Sequence, residues 1–124
     1  MMTRRSLILA STLCAFASAA AAQAAPELGD YASTAAGCAS VKYDLTLTET
    51  GAAFPAFACE ALALQPAEAT DGKPTFQAAS QLCYSSASNR PVAKSFKLVV
   101  DQNRLQVLWP DGAHSPWLTR CDKK

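Results

Sequence analysis

The sequence predicts a mainly β domain: a small antiparallel β-barrel or sandwich of about seven strands in meander-like order, stapled by two disulfides. Three observations predict it. Val41 to Thr48 and Ser95 to Trp109 alternate apolar and polar side chains with a period of two. Turn-forming residues separate these and the other apolar runs: Thr50-Gly51, Asp71-Gly72, Asp101-Gln102-Asn103 and Pro110-Asp111-Gly112. Cys38, Cys59, Cys83 and Cys121 are spread through a segment too short to bury a large core without cross-links.

The chain opens with an export signal. Arg4 and Arg5 form a basic start, Leu7 to Phe16 an apolar run, and Ala17 to Ala22 a small-residue stretch without charge. That order marks a cleavable secretory signal over residues 1–24, with Ala22-Gln23-Ala24 as the peptidase site and Ala25 as the new N-terminus. Ala20-Ala21-Ala22 is an alternative site. The run is too short and too rich in alanine for a membrane span, so no stable membrane anchor is expected in the mature chain. Thr3-Arg4-Arg5-Ser6-Leu7-Ile8 also has the look of a twin-arginine signal, but two ordinary n-region arginines explain it better. The expected location is periplasmic or secreted.

Removal of the signal leaves one domain, residues 25–124, in which nine basic residues stand against ten acidic ones. No basic stripe survives, which excludes nucleic acid as an expected partner. Cys14 leaves with the signal, and the remaining four cysteines read as two disulfides. They lie too far apart for the close pairs of a zinc site, and the scattered carboxylates do not form a calcium loop, so no metal and no cofactor is expected.

Along the mature chain, a short strand is expected near Gly29 to Ser33. Val41, Tyr43, Leu45 and Leu47 alternate with Lys42, Asp44, Thr46 and Thr48, the pattern of a half-buried strand that ends at Thr50-Gly51. Phe54 to Leu64 is apolar on both faces and fits a buried strand, with a helical turn over 59–64 as the alternative. Gln65 to Pro74, with two prolines and Asp71-Gly72, reads as a loop. Thr75 to Ser85 fits strand or helix, and Ser85 to Pro91 is polar and turn-rich. Phe96, Leu98 and Val100, then Leu105, Val107 and Trp109, make a hairpin about Asp101-Gln102-Asn103, with Asn103 suited to a left-handed conformation. Trp117 to Cys121 is the last strand.

Cysteine pairing follows from a meander. Cys59 and Cys83 stand twelve residues before and after Asp71, which places them at one height on neighbouring strands. Closure of a barrel brings the last strand to the first, and Cys121 to Cys38. The favoured pairing is Cys59–Cys83 with Cys38–Cys121; the main rival is Cys38–Cys59 with Cys83–Cys121.

Three residues are candidates for a site. Trp109 and Trp117 bracket the 110–116 loop and could form an aromatic platform, although Trp109 continues the Leu105/Val107 core face. His114, the single histidine, lies near Asp111 and Ser115. Triads depend on geometry in the fold, so this proximity is weak ground for catalysis. Phe54-Pro55-Ala56-Phe57 is a second apolar loop, with core packing as its expected role.

The size, export signal, meander pattern and terminal cysteine resemble the small bacterial β-barrel inhibitors of C-type lysozyme. Those proteins carry a Ser-Gly-x-x-Tyr loop. Here Ser85-Ser86-Ala87-Ser88-Asn89-Arg90 lacks the glycine and the tyrosine, so no family is assigned and no residue role is carried over. The expected function is a small binding or inhibitor-type protein of the cell envelope, not an enzyme, its partner an envelope protein or a glycan. The alternatives are a structural or stress-related envelope protein and a small hydrolase using His114.

Overall fold

The structure is a computed structural model that describes residues 25–122. The predicted signal, residues 1–24, and the Lys123-Lys124 pair lie outside the described residues. Nine strands and one short helix follow one another: β1 (Gly29–Ala32), α1 (Ala35–Ala39), β2 (Leu45–Leu47), β3 (Ala52–Ala53), β4 (Phe57–Glu60), β5 (Ala63–Thr70), β6 (Lys73–Ser85), β7 (Ser88–Asp101), β8 (Arg104–Leu108) and β9 (Leu118–Arg120). Eight of them form a closed antiparallel barrel, in the order β1-β2-β3-β4-β6-β7-β8-β9, with β9 returning to β1.

The ninth strand, β5, pairs only with β6. It continues the line of β4: Cys59 opposes Cys83 and, four residues further along both strands, Ala63 opposes Ala79. The two are thus one ribbon in one register against β6. It is broken at Ala61, whose φ of 50° turns the chain away from β3, while the Leu62 N–H is taken by the Thr50 carbonyl. Beyond the break no described residue pairs with the outer edge of β5.

Several sequence expectations need correction here. Gln65 to Pro74 is not a loop. Strand β5 runs to Thr70, and only Asp71 and Gly72, at φ 50° and 76°, make the turn. Both residues are left-handed, as a two-residue hairpin of type I′ requires. Pro66 is accommodated because an edge strand has one side with no ladder to complete. Nor is 85–91 a long turn: β7 starts at Ser88 and passes through Pro91, with pairing to β6 shifted by irregularities there. The ambiguous 59–64 and 75–85 segments are strand apart from the break at Ala61 and Leu62. At the 101–104 hairpin the left-handed residue is Gln102, at φ 60°, and not Asn103.

The strand foreseen from Val41 is also shorter. Only Leu45–Leu47 pairs, and Val41 is 66% exposed. Helix α1 occupies the connection instead. Thr34 caps it, its hydroxyl accepting the Gly37 N–H at 3.0 Å. Gly37 approaches the wall closely: a Cβ there would lie 3.1 Å from the Ala32 Cβ. The Cys38–Cys121 disulfide ties the helix to the end of β9. The second bridge, Cys59–Cys83, joins directly opposed residues of β4 and β6 at the closure of the wall.

Alternation fills the interior. Tyr31, Leu45, Leu47, Ala52, Ala78, Phe96, Leu98, Leu105, Val107 and Leu118 form one buried cluster, drawn from seven of the eight wall strands. Each large member contributes roughly 1.5–3 kcal/mol by leaving water. Gly51 lets the wall close between β3 and β4, because a Cβ there would collide with the Cys59 carbonyl oxygen.

Candidate functional site

In an antiparallel barrel, one end collects the starts of β2, β4, β7 and β9 with the finishes of β1, β3, β6 and β8. The loops at this end are 33–44, 54–56, 86–87 and 109–117, of which 54–56 and 109–117 supply Phe54 and Trp109. Phe54 leaves β3 into a tight turn whose N–H donates to the Phe57 carbonyl at 2.7 Å, so both rings are held on the same side of the loop. Trp109 ends β8 on the Leu105/Val107 side, which brings it over the mouth. The Trp109-Pro110-Asp111-Gly112 turn fixes its backbone: the Gly112 N–H donates to the Trp109 carbonyl at 3.0 Å, and Gly112 takes a φ of 94°.

Four aromatic rings meet there. Phe54 lies 4.9 Å from Phe57, 5.3 Å from Phe96 and 5.3 Å from Trp109, and Trp109 lies 5.6 Å from Phe96 and 6.0 Å from Phe57. Phe96 is buried and anchors the group, whereas Phe54, Phe57 and Trp109 remain half-buried. Pairs of this kind add about 0.5–1.5 kcal/mol beyond burial and fix the rings with little mobility.

A cavity of about 250 Å³ opens beside the cluster. Phe54, Pro55, Phe57, Trp109 and Pro116 form its walls and Val107 and Leu118 of the core its floor; among the described residues, Asp44 and Ser115 are the only lining side chains with oxygen atoms. Two other clefts flank it. One, of about 470 Å³, runs past Phe57, Lys94 and Pro110; the other, of about 330 Å³, past Gln77, Ser95 and Lys97. Trp109 borders all three. The Lys94 ammonium stands 4.7 Å from the centre of the Phe57 ring. The Asp44 carboxylate, across the cavity, accepts the Ser33 N–H at 2.7 Å.

The sequence candidates separate. Trp109 belongs to the mouth. Trp117 lies on the outer side of the wall, where the Arg104 guanidinium stacks on it at 4.9 Å, so the two tryptophans do not form a joint platform. His114 is exposed and pairs with the end of β8 at Leu108. Its Nδ1 lies 3.2 Å from the Gln106 amide nitrogen and 3.2 Å from the Ser115 carbonyl. Ser115 Oγ accepts the Val107 N–H and donates to the Pro116 carbonyl, and the Asp111 carboxylate accepts the Ala113 N–H. These three side chains hold the loop, and among the described residues no carboxylate is hydrogen-bonded to His114.

Three members of the mouth are not assigned to it by sequence alone. Phe54 and Phe57 read as a loop pair around Pro55, but nothing local links them to Trp109. Lys94 shares the parity of Phe96 on its strand, the one signal that would have pointed it toward the mouth. No known protein family, curated protein or solved structure matches the chain.

Proposed function

We propose that this chain is an exported cell-envelope binding protein that receives an apolar group of its ligand in the aromatic mouth of the barrel. The observation that carries the proposal is the cavity on Phe54, Phe57 and Trp109: an almost wholly apolar lining, open to solvent, over a filled core. At about 250 Å³ it falls below the 300–1,000 Å³ of sites that engulf a drug-sized ligand, so it suits one apolar group. Rigid rings cost little conformational entropy on binding, which favours the pre-formed mouth as a contact surface. Two disulfides are compatible with an oxidising compartment outside the cytoplasm, and the described residues include no helix long and apolar enough to cross a membrane. The hydrolase alternative has no specific observation in its favour.

The test uses the mature protein with Trp117→Phe, which leaves Trp109 as the sole tryptophan. Titration with the uncharged probe N-phenyl-1-naphthylamine should change Trp109 emission saturably, and Phe57→Ala should weaken the probe's binding at least fivefold. An emission spectrum indifferent to the probe would overturn the proposal.

A further inference from the structure

The mouth is apolar on its walls but not electrically neutral at its rim. Lys94 is half-buried and carries its ammonium over the face of Phe57, at 4.7 Å from the ring centre. The ion pairs formed among the described residues are Arg104–Asp101 and Arg120–Glu27, so Lys94 has an aromatic face where most half-buried cations have a carboxylate. A ring quadrupole holds a cation without neutralising it. Lys97, exposed on the opposite face of the same strand, lines the neighbouring cleft that Trp109 also borders. The one carboxylate lining the cavity, Asp44, is on the opposite side and is engaged by the Ser33 amide. The charge pattern is therefore directional: apolar walls in the middle, positive charge along β7.

We propose that the mouth takes a small anionic amphiphile, a medium-chain fatty carboxylate, with its chain against Phe54, Phe57 and Trp109 and its carboxylate at the Lys94 ammonium. The inference rests on the binding reading above and specifies the chemistry of its ligand. The carboxylate supplies the counter-charge that Lys94 lacks, and the contact is strengthened because the ring and the chain keep water from one side of it. The chain meets surfaces that are already ordered, and its head group stays at the solvent edge, where no full desolvation of charge is required. Asp44 disfavours the reverse orientation.

Dodecanoate and dodecylammonium, below their micelle concentrations, and dodecanol, below its solubility limit, are titrated into the Trp117→Phe protein with Trp109 emission as the readout. Dodecanoate should bind about tenfold more tightly than dodecanol, the increment of one charge-assisted contact. Lys94→Gln should reduce dodecanoate to the level of the alcohol and leave the alcohol unchanged, while Lys97→Gln should alter dodecanoate binding less than threefold. Equal affinities of dodecanoate and dodecanol for the unaltered rim would overturn the inference and leave the apolar binding site standing. Preference for dodecylammonium would overturn it in favour of Asp44. Failure of all three to bind would remove both the inference and the reading on which it rests. The comparison of three ligands on one protein does not depend on the folding of any lysine variant.

Discussion

Tyr31 and the two tryptophans show how differently similar side chains are used. Tyr31 is 1% exposed, and its hydroxyl donates to the Glu27 carbonyl at 2.5 Å. Burial, with a smaller contribution from the Glu27 charge, raises its pKa to about 12, against the opposing effect of Arg120. The folded state therefore holds the phenolic proton above pH 10, where the unfolded chain releases it. Stability from this group is complete below pH 10 and is lost as the pH rises from about 10 to about 12, to the extent of about 3 kcal/mol. Urea denaturation at pH 9 and 11 should show a steeper loss for the parent protein than for Tyr31→Phe. Parallel losses would contradict the buried phenol. The tryptophans should diverge as well. Trp109→Ala removes a ring that touches three others and should cost about 3 kcal/mol, less than a fully buried ring would at most. Trp117→Ala removes a cation–π contact on the outer wall and should cost no more than about 1 kcal/mol. Equilibrium unfolding of the two variants distinguishes these values. Of the candidate site, Trp109 was legible in the sequence because alternation from Leu105 and Val107 fixes its side of the strand. Its partners were not, because Phe54 and Phe57 reach it across the barrel and no local pattern encodes that distance.

Among the elements, the β4–β5 ribbon explains which parts of the fold could be anticipated. Cys59 and Cys83 lie at nearly equal distances from the Asp71-Gly72 turn, and the irregularity between Ala67 and Thr70 makes up the remaining residue, so that the two face one another. Their bridge was legible for that reason, even though the residues between them were misread as a loop on the strength of Pro66 and Pro74. Proline argues against a central strand but not against an edge, and edge position is a property of the assembled sheet. Helix α1 was missed because five residues carry too little periodicity, with the Thr34 cap as its one local signal. The narrow strands β3 and β4 depend on an absent side chain. Gly51→Ala places a methyl group against the Cys59 carbonyl and should cost roughly 1–3 kcal/mol through separation of the strands. Gly72→Ala, with open space around its missing Cβ, should be destabilised only by its left-handed backbone, by about 1 kcal/mol. Chemical denaturation of the pair would test the distinction, and a smaller loss at Gly51 than at Gly72 would refute it.

For the molecule as a whole, the closed barrel and its two bridges set the stability together. Chain-entropy arguments assign the Cys38–Cys121 bridge, with 83 residues of separation, about 4.5 kcal/mol, and the Cys59–Cys83 bridge, with 24, about 3.5 kcal/mol. The double substitution Cys38→Ala/Cys121→Ala should therefore lower the urea midpoint further than Cys59→Ala/Cys83→Ala, and the reverse order would show that local packing outweighs loop closure. The longer bridge has a mechanical consequence. It short-circuits the chain: every wall strand except β1 lies inside the covalent loop from Cys38 to Cys121. Tension applied at the two ends of the domain passes along β1 and α1, across the sulfur bridge and out through Asp122, and never reaches the other seven strands of the wall. Pulled by its ends in an optical trap, the oxidised domain should lengthen by only about 45 Å as β1 peels away, whereas the Cys38→Ala/Cys121→Ala form should give up several times that length because the rest of the barrel is now in the line of force.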